Sequence, residues 1–254
     1  SSTSRGLGDV YKRQYLYSGS MSEATSLPVY IQISEMLMRE IIAGRLSDGE
    51  RLLPERDLAK SLNISVGTLR KSLKELEQKG ALFRRHGSGN YVRFNTKFNS
   101  IYSFFRVELI DGGGLPSAKN LDISLVKKPK SSPFFGESDK CLRIRRLRFL
   151  DNRPCVLEEI HLDSIKTDGL KFDNISQSIY LFYKNTLNLR ITAAKDSATL
   201  LRVPVWSPKE FKVMNSQETV CIERLAYDQV GAPVEFSRSW IAVSYTHLTL
   251  PTKA

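Results

Sequence analysis

The segment from Leu53 to Val92, LPERDLAKSLNISVGTLRKSLKELEQKGALFRRHGSGNYV, constrains the fold more than any other part of the chain, because its spacing prescribes helix, tight turn, helix and basic hairpin in unbroken succession. Pro54 suits a first helical turn, where its missing N–H costs nothing, and Leu58, Ala59 and Leu62 place an apolar stripe on the helix that follows. Asn63 breaks that helix. Ser65 is a good N-cap for the second, whose Leu69, Leu73 and Leu76 recur at helical spacing and whose end is marked by Lys79 and Gly80. Thr68, Arg70, Lys71, Lys74 and Glu75 fall on its other face. Leu82-Phe83 and Tyr91-Val92 then read as two strands, joined across Arg84, Arg85, His86, Gly87, Ser88, Gly89 and Asn90. The glycines permit a tight turn whose backbone approaches a phosphate closely, and the arginines supply the charge.

This is the layout of a winged helix-turn-helix, and a helix with a basic flank fits a major groove about 12 Å wide. A generic helical hairpin with a solvated basic face produces the same helix pattern; the hairpin immediately after it favours duplex DNA as the partner. Upstream, Val29 to Gly44 reads as a helix with Ile33, Leu37 and Ile41 on one face, completing a three-helix core. The whole stretch resembles the gluconate-repressor-type (GntR) family of bacterial transcription factors, through Pro28 to Ile33, Gly44, Gly49, Glu55 to Ala59 and Gly87 to Val92. The resemblance implies DNA contacts from Arg56, Ser65, Thr68, Arg70, His86 and Gly87, to which Lys71, Arg84, Arg85 and Ser88 are added as the basic flank and the wing. Val66 and Gly67 stand where many members carry Ser, Thr or Arg, so the operator sequence is not inferable.

The chain ends read differently. Asp9 to Gln14 can be encoded by GATGTGTATAAGAGACAG, and the reverse complement of that stretch, read from its third base, gives Val243 to His247. The two ends resemble a translated sequencing adaptor. Residues 1–20 and 243–254 are therefore expected to be non-native, with Met21 as the native start and the last strand of the second domain missing. No signal peptide is expected, since Ser1 to Ser20 has no apolar core.

Net charge is +11, from 38 Lys and Arg against 27 Asp and Glu, and this fits attraction to phosphate. No apolar run reaches the roughly 18 residues of a membrane span. Cys141, Cys155 and Cys221 form no CxxC spacing and only 3 histidines are present, so no metal, no cofactor and a reducing cytoplasm are expected. The expected division is a DNA-binding domain at 25–94, a linker at 95–100 and a second domain at 101–242.

In the second domain strands dominate, which points to the α+β class with an antiparallel sheet. Alternation along Leu142 to Leu150 puts Leu142, Ile144, Arg146, Arg148 and Leu150 on one face, the two arginines about 7 Å apart. Asp151 to Pro154 turn the chain into a strand at Cys155 to Leu162; Ser176 to Leu187 reads as a helix, and Leu200 to Val205, Thr219 to Tyr227 and Val234 to Ala242 as strands. Lys127, Lys128, Pro129 and Lys130 read as a solvated loop. Arg143 to Glu159, Ser178 to Tyr180 and the Gly231-to-Arg238 block resemble the effector-sensing UTRA domain of the HutC subfamily, with its chorismate-lyase-like fold. That resemblance implies a homodimer and a small-molecule site formed by Ser103, Arg146, Arg148, Glu158, Ser178 and Glu235.

Two arginines on one face offer fork-shaped donors to a phosphate or carboxylate, and a glutamate can accept from sugar hydroxyls. The competing reading is an edge strand whose arginines are solvated and glued to Glu158 and Glu159 by weak surface ion pairs. The functional expectation is a ligand-responsive regulator, a repressor released from operator DNA by a small anionic metabolite such as a sugar phosphate. The alternative is an enzyme fused to a DNA-binding module, disfavoured because His161 lacks an apparent Ser or Cys partner.

Overall fold

The structure, a computed structural model, describes residues 27–94, 100–102, 104–110, 114–167, 175–176 and 178–248. It divides into two compact units, residues 1–103 and 104–254. Most of the expected linker, and the first 26 residues, lie outside the described residues.

The first unit holds α1 (Val29–Ile42), α2 (Glu55–Ser61), α3 (Val66–Gln78), β1 (Leu82–Arg85) and β2 (Gly89–Val92). Pro54 is the residue before α2, its ring fixing the extended entry, and Asn63 takes a left-handed φ of 52° in the turn. Ser65 caps α3 as the spacing predicts, its hydroxyl accepting from the Thr68 amide at 3.0 Å. Leu58, Leu62, Leu69, Leu73 and Leu76 are buried with Leu37 and Ile41 of α1, which packs on α3. β1 and β2 pair antiparallel from Leu82–Val92 to Arg85–Gly89, and Gly87 turns the hairpin with φ 72°.

α1 departs from the one-faced stripe that its periodicity predicts, because Gln32, Ser34, Glu35, Arg39 and Glu40 are buried with the apolar residues. The polar groups are compensated in place. Glu40 accepts two hydrogen bonds from Arg45, at 2.6 and 2.9 Å, and Glu35 accepts from Lys79 at the end of α3, from the Ser100 hydroxyl at 2.6 Å and from the Ile101 amide at 3.1 Å.

The second unit is built on a six-stranded antiparallel sheet, confirming the α+β class. Its strands are β4 (Pro116–Lys127), β5 (Lys140–Leu150), β6 (Arg153–Asp163), β7 (Ala193–Arg202), β8 (Glu218–Tyr227) and β9 (Pro233–Ile241), in the order β4-β5-β6-β9-β8-β7. Asp151 and Asn152, both at positive φ, make the two-residue turn between β5 and β6. α4 (Ile179–Thr186) lies on one face, burying Ile179, Phe182 and Tyr183 against Leu142, Ile144, Ile160 and Leu162. Phe211 and Val203 cover Leu147, Leu157, Cys221 and Trp240.

Three sequence expectations are corrected. β7 begins at Ala193, well before Leu200, because its polar and small residues carry no apolar alternation. The helix starts at Ile179, where Ser178 caps it. Lys128 is not solvated: its ammonium lies 4.4 Å from the Phe135 ring centre and 3.1 Å from the Asp163 carboxylate. Residues 246–248, within the segment expected from sequence to be non-native, form a short strand. β10 (Thr246–Leu248) pairs antiparallel with β3 (Val107–Leu109), and the Thr246 hydroxyl donates to the Ala242 carbonyl at 2.8 Å.

Candidate functional site

α2, α3 and the β1-β2 hairpin present the residues singled out from sequence. Arg56, Ser65, Arg70 and Lys71 are exposed, as are Arg84, Arg85, His86 and Gly87, whereas Thr68 and Ser88 are half-buried. Ser65 and Thr68 are joined hydroxyl to hydroxyl at 2.9 Å, so their capping bond also orients the first turn of α3. Arg70 donates to Glu55 at 2.7 Å, and the Arg84 guanidinium lies 3.8 Å from the same carboxylate. Glu55, the first residue of α2, thus holds one arginine of α3 and one of the wing. The wing is stiffened by aromatic rings that the sequence reading counted only as strand residues. Phe83 stacks on Tyr91 with ring centres 5.5 Å apart, Arg85 lies over both rings and Arg93 over Phe83. Ser88 and Tyr91 share a hydroxyl hydrogen bond of 2.6 Å.

The second cluster lies on the α4 face of the sheet. β5 is an inner strand, and Arg146 and Arg148 are buried, which removes the solvated-edge reading. Glu158, opposite Arg146 on β6, bridges the pair: it accepts from Arg146 at 2.6 and 3.1 Å and from Arg148 at 3.2 Å. Burial would raise the Glu158 carboxyl, but the charges and hydrogen bonds of the two arginines outweigh it and hold it below the usual range. Glu158 is therefore occupied in fixing the arginines and does not stand open for a hydroxyl. Glu235 on β9 accepts from Tyr180 at 3.1 Å and Tyr183 at 2.6 Å. Its own burial raises its carboxyl, opposed by those tyrosines. Ser178 is buried and spends its hydroxyl on the Leu181 amide at 3.4 Å. Ser103 lies outside the described residues.

Residues 29–92 match the gntR family of bacterial regulatory proteins, and residues 114–246 match the UTRA domain. The chain is 49% identical over 215 residues to the HTH-type transcriptional regulator SmoD of Agrobacterium fabrum, covering 85% of this chain and 92% of that protein. It is 24% identical over 229 residues to the HTH-type transcriptional repressor NagR of Bacillus subtilis, covering 87% and 93%. The chain is a GntR-family transcriptional regulator. Its fold also matches the crystal structure of YydK from Bacillus subtilis, with a TM-score of 0.51 at 19% identity over 89% of this chain and all of that one. Regulators of this family bind operator DNA and sense an effector through the UTRA domain, so the enzyme reading is set aside.

The regulator has a charged pair on this face, Arg224 and Asp196, that the sequence reading missed. Arg224 on β8 is held by both oxygens of Asp196, at 2.6 and 2.7 Å, and donates to the Phe104 carbonyl at 2.8 Å. The Arg148 guanidinium lies 3.7 Å from the Phe105 ring centre, and Phe104 meets Tyr180 edge to face at 5.4 Å. Residues 104 and 105 thus form a strap across the arginines and the tyrosine of α4. The signal for Arg224 was its alternation with Ile222 and Ala226 on β8, which becomes legible only once the register to Ser237 and Ile160 sets it on the Arg146 face. His161, whose lack of a Ser or Cys partner counts against the enzyme reading, is buried on the opposite face, and burial lowers its pKa to about 4. Among the described residues no group of His, Cys, Asp and Glu could hold a metal ion, and no helix is long and apolar enough to cross a membrane.

Proposed function

We propose that this regulator is a cytoplasmic homodimeric repressor, released from its operator when a small anionic metabolite, a sugar phosphate or carboxylate, engages Arg146 and Arg148. The observation that carries the reading is the pair of buried arginines bridged by one carboxylate beneath the Phe104-Phe105 strap. Guanidinium donors held in a dry setting attract an oxyanion far more strongly than the same groups at a solvated surface. The relative NagR is a transcriptional repressor, which supports the direction of control. For DNA, Arg56, Arg70, Lys71, Arg84 and Arg85 serve phosphates, while Ser65, Thr68 and the His86-Gly87-Ser88 tip are the groups nearest the bases and the groove wall.

The test is a thermal-shift screen of sugar phosphates, amino-sugar phosphates and carboxylates, followed by anisotropy titration of operator DNA with each hit. A ligand at about 100 times its dissociation constant adds roughly 2.7 kcal/mol of stability. A hit should stabilise the regulator and weaken its operator binding, and Arg148→Gln should lose both responses while still binding DNA. An equal response from the variant would remove Arg148 from the site.

A further inference from the structure

The two edges of the six-stranded sheet are built differently. β4 is protected in the ways sheet edges usually are: it opens with Pro116, is bulged between Asn120 and Asp122, and carries Lys119, Asp122 and Lys127. β7 has none of the irregularity. Its ten residues run in unbroken register with β8 from Ala193–Tyr227 to Arg202–Glu218, contain no proline, and are largely exposed on both faces, Leu200 at 63%. A long, regular open edge is a template for another strand.

The side chains on that edge are self-complementary. We infer that β7 is the seam of the homodimer, two copies pairing antiparallel about a twofold axis through Thr199, so that two six-stranded sheets become one of twelve. This rests on the dimeric reading above. A twofold perpendicular to the sheet keeps each face continuous, so only registers pairing even with even and odd with odd positions are allowed. Centring on Thr199 sets Asp196 against Arg202 of the second copy, twice, and Leu200 against Ala198, twice: opposite charge facing opposite charge, and large facing small. Moving the centre to Ala198 or Leu200 loses both charge pairs. Arg202 is free to serve, since its side chain is 77% exposed and only 4.0 Å from the exposed Glu218. Asp196 already holds Arg224, and a carboxylate has lone pairs for a second partner. One residue would then touch both the seam and the arginine that secures the strap.

The experiment uses the full chain with Thr199→Cys, alongside Ser197→Cys and Arg202→Asp. Cys141, Cys155 and Cys221 are buried, so the introduced thiol is the accessible one. Directly opposed residues in an antiparallel pair stand about 4.5–5.5 Å apart at Cα, within disulfide range. Mild oxidation should convert most of the Thr199→Cys protein into a covalent dimer on non-reducing gels. Ser197→Cys should not crosslink, its counterpart lying four positions away, about 13 Å. Arg202→Asp, which places like charges together twice, should raise the dimer dissociation constant at least tenfold by light scattering. A dimer that ignores Arg202→Asp and fails to crosslink through residue 199 overturns the β7 seam and leaves the dimeric reading intact. A chain that is monomeric at about 50 micromolar, well above the dissociation constants of stable dimers, overturns both.

Discussion

Arg146 is the bulkiest side chain wholly withdrawn from solvent among the described residues, and an arginine in that position demands an explanation that an aliphatic residue would not. Burying a guanidinium is costly unless its charge is met, and Glu158 meets those of Arg146 and Arg148 together. Glu158→Gln keeps the shape and removes the charge. The loss expected for breaking a buried pair is roughly 3–5 kcal/mol at neutral pH, read from urea unfolding. Because the Glu158 carboxyl is held below its unfolded value, that contribution is complete above about pH 4.3 and disappears as pH falls through the lower folded value. Inorganic phosphate should stabilise the Glu158→Gln variant more than the wild type, since an oxyanion can stand where the carboxylate charge was. No stabilisation of the variant by phosphate would show that the arginines do not receive anions. His161 gives a second handle with the opposite partner logic. It is kept neutral by burial, and protonation would place a cation beside Arg143, Arg238 and Arg145, with Glu159 at 3.7 Å as the opposing charge. Its folded pKa of about 4 against 6.5 unfolded means stability that is present above pH 6.5 and lost as pH falls toward 4, by up to about 3 kcal/mol. His161→Gln should flatten the unfolding free energy between pH 6.5 and 4.5, and an unchanged slope would assign the acid sensitivity elsewhere.

At the scale of elements, the wing is the part whose construction exceeds its sequence signature. Glycines, arginines and the flanking strands were legible because turn chemistry and charge are local, and the caps and stripes of α2 and α3 were legible for the same reason. The stacking of Phe83 on Tyr91 and the seat it provides for Arg85 depend on strand register, which no local pattern encodes. Tyr91→Ala should therefore weaken operator binding several-fold, consistent with a cation–π seat worth about 0.5–1 kcal/mol. It removes no charge, so the slope of log affinity against log salt should stay constant. Arg85→Ala should lower both the affinity and the slope, by about one unit. A changed slope for Tyr91→Ala would mean that the tyrosine acts through phosphate contacts and not by seating the arginine. The same distinction explains the second domain. The Arg146 and Arg148 alternation could be read within one strand, whereas Arg224 joins them only through pairing across β6, β9 and β8, and Glu158 reads as a hydroxyl acceptor until its distances to both arginines are known. β7 was partly invisible because a strand exposed on both faces has no hydrophobic period to detect.

At the scale of the whole molecule, the proposed function is a coupling between two ligands, and coupling has a thermodynamic signature that no local contact can imitate. Glu35 fixes Ser100 and Ile101 within the first unit, and Arg224 and Arg148 fix residues 104 and 105 within the second, so only two residues of chain separate the two sets of anchors. Under the proposed function, an anion that drew Arg148 off Phe105 would change what the chain between the units is tied to. If binding of the anion lowers operator affinity by some factor, operator DNA must lower the affinity for the anion by the same factor, because both describe one closed cycle. Couplings of this kind are typically about 5- to 150-fold. Calorimetric titration of the effector identified by the screen, with and without saturating operator duplex, should give that ratio and match the shift seen by anisotropy at the same salt. Phe105→Ala should shrink both ratios together while leaving the effector affinity of the DNA-free protein within a few-fold of wild type. The strap would then be the coupler, acting without contributing to either affinity alone. Ratios that stay at their wild-type size in Phe105→Ala would place the transmission outside residues 104 and 105.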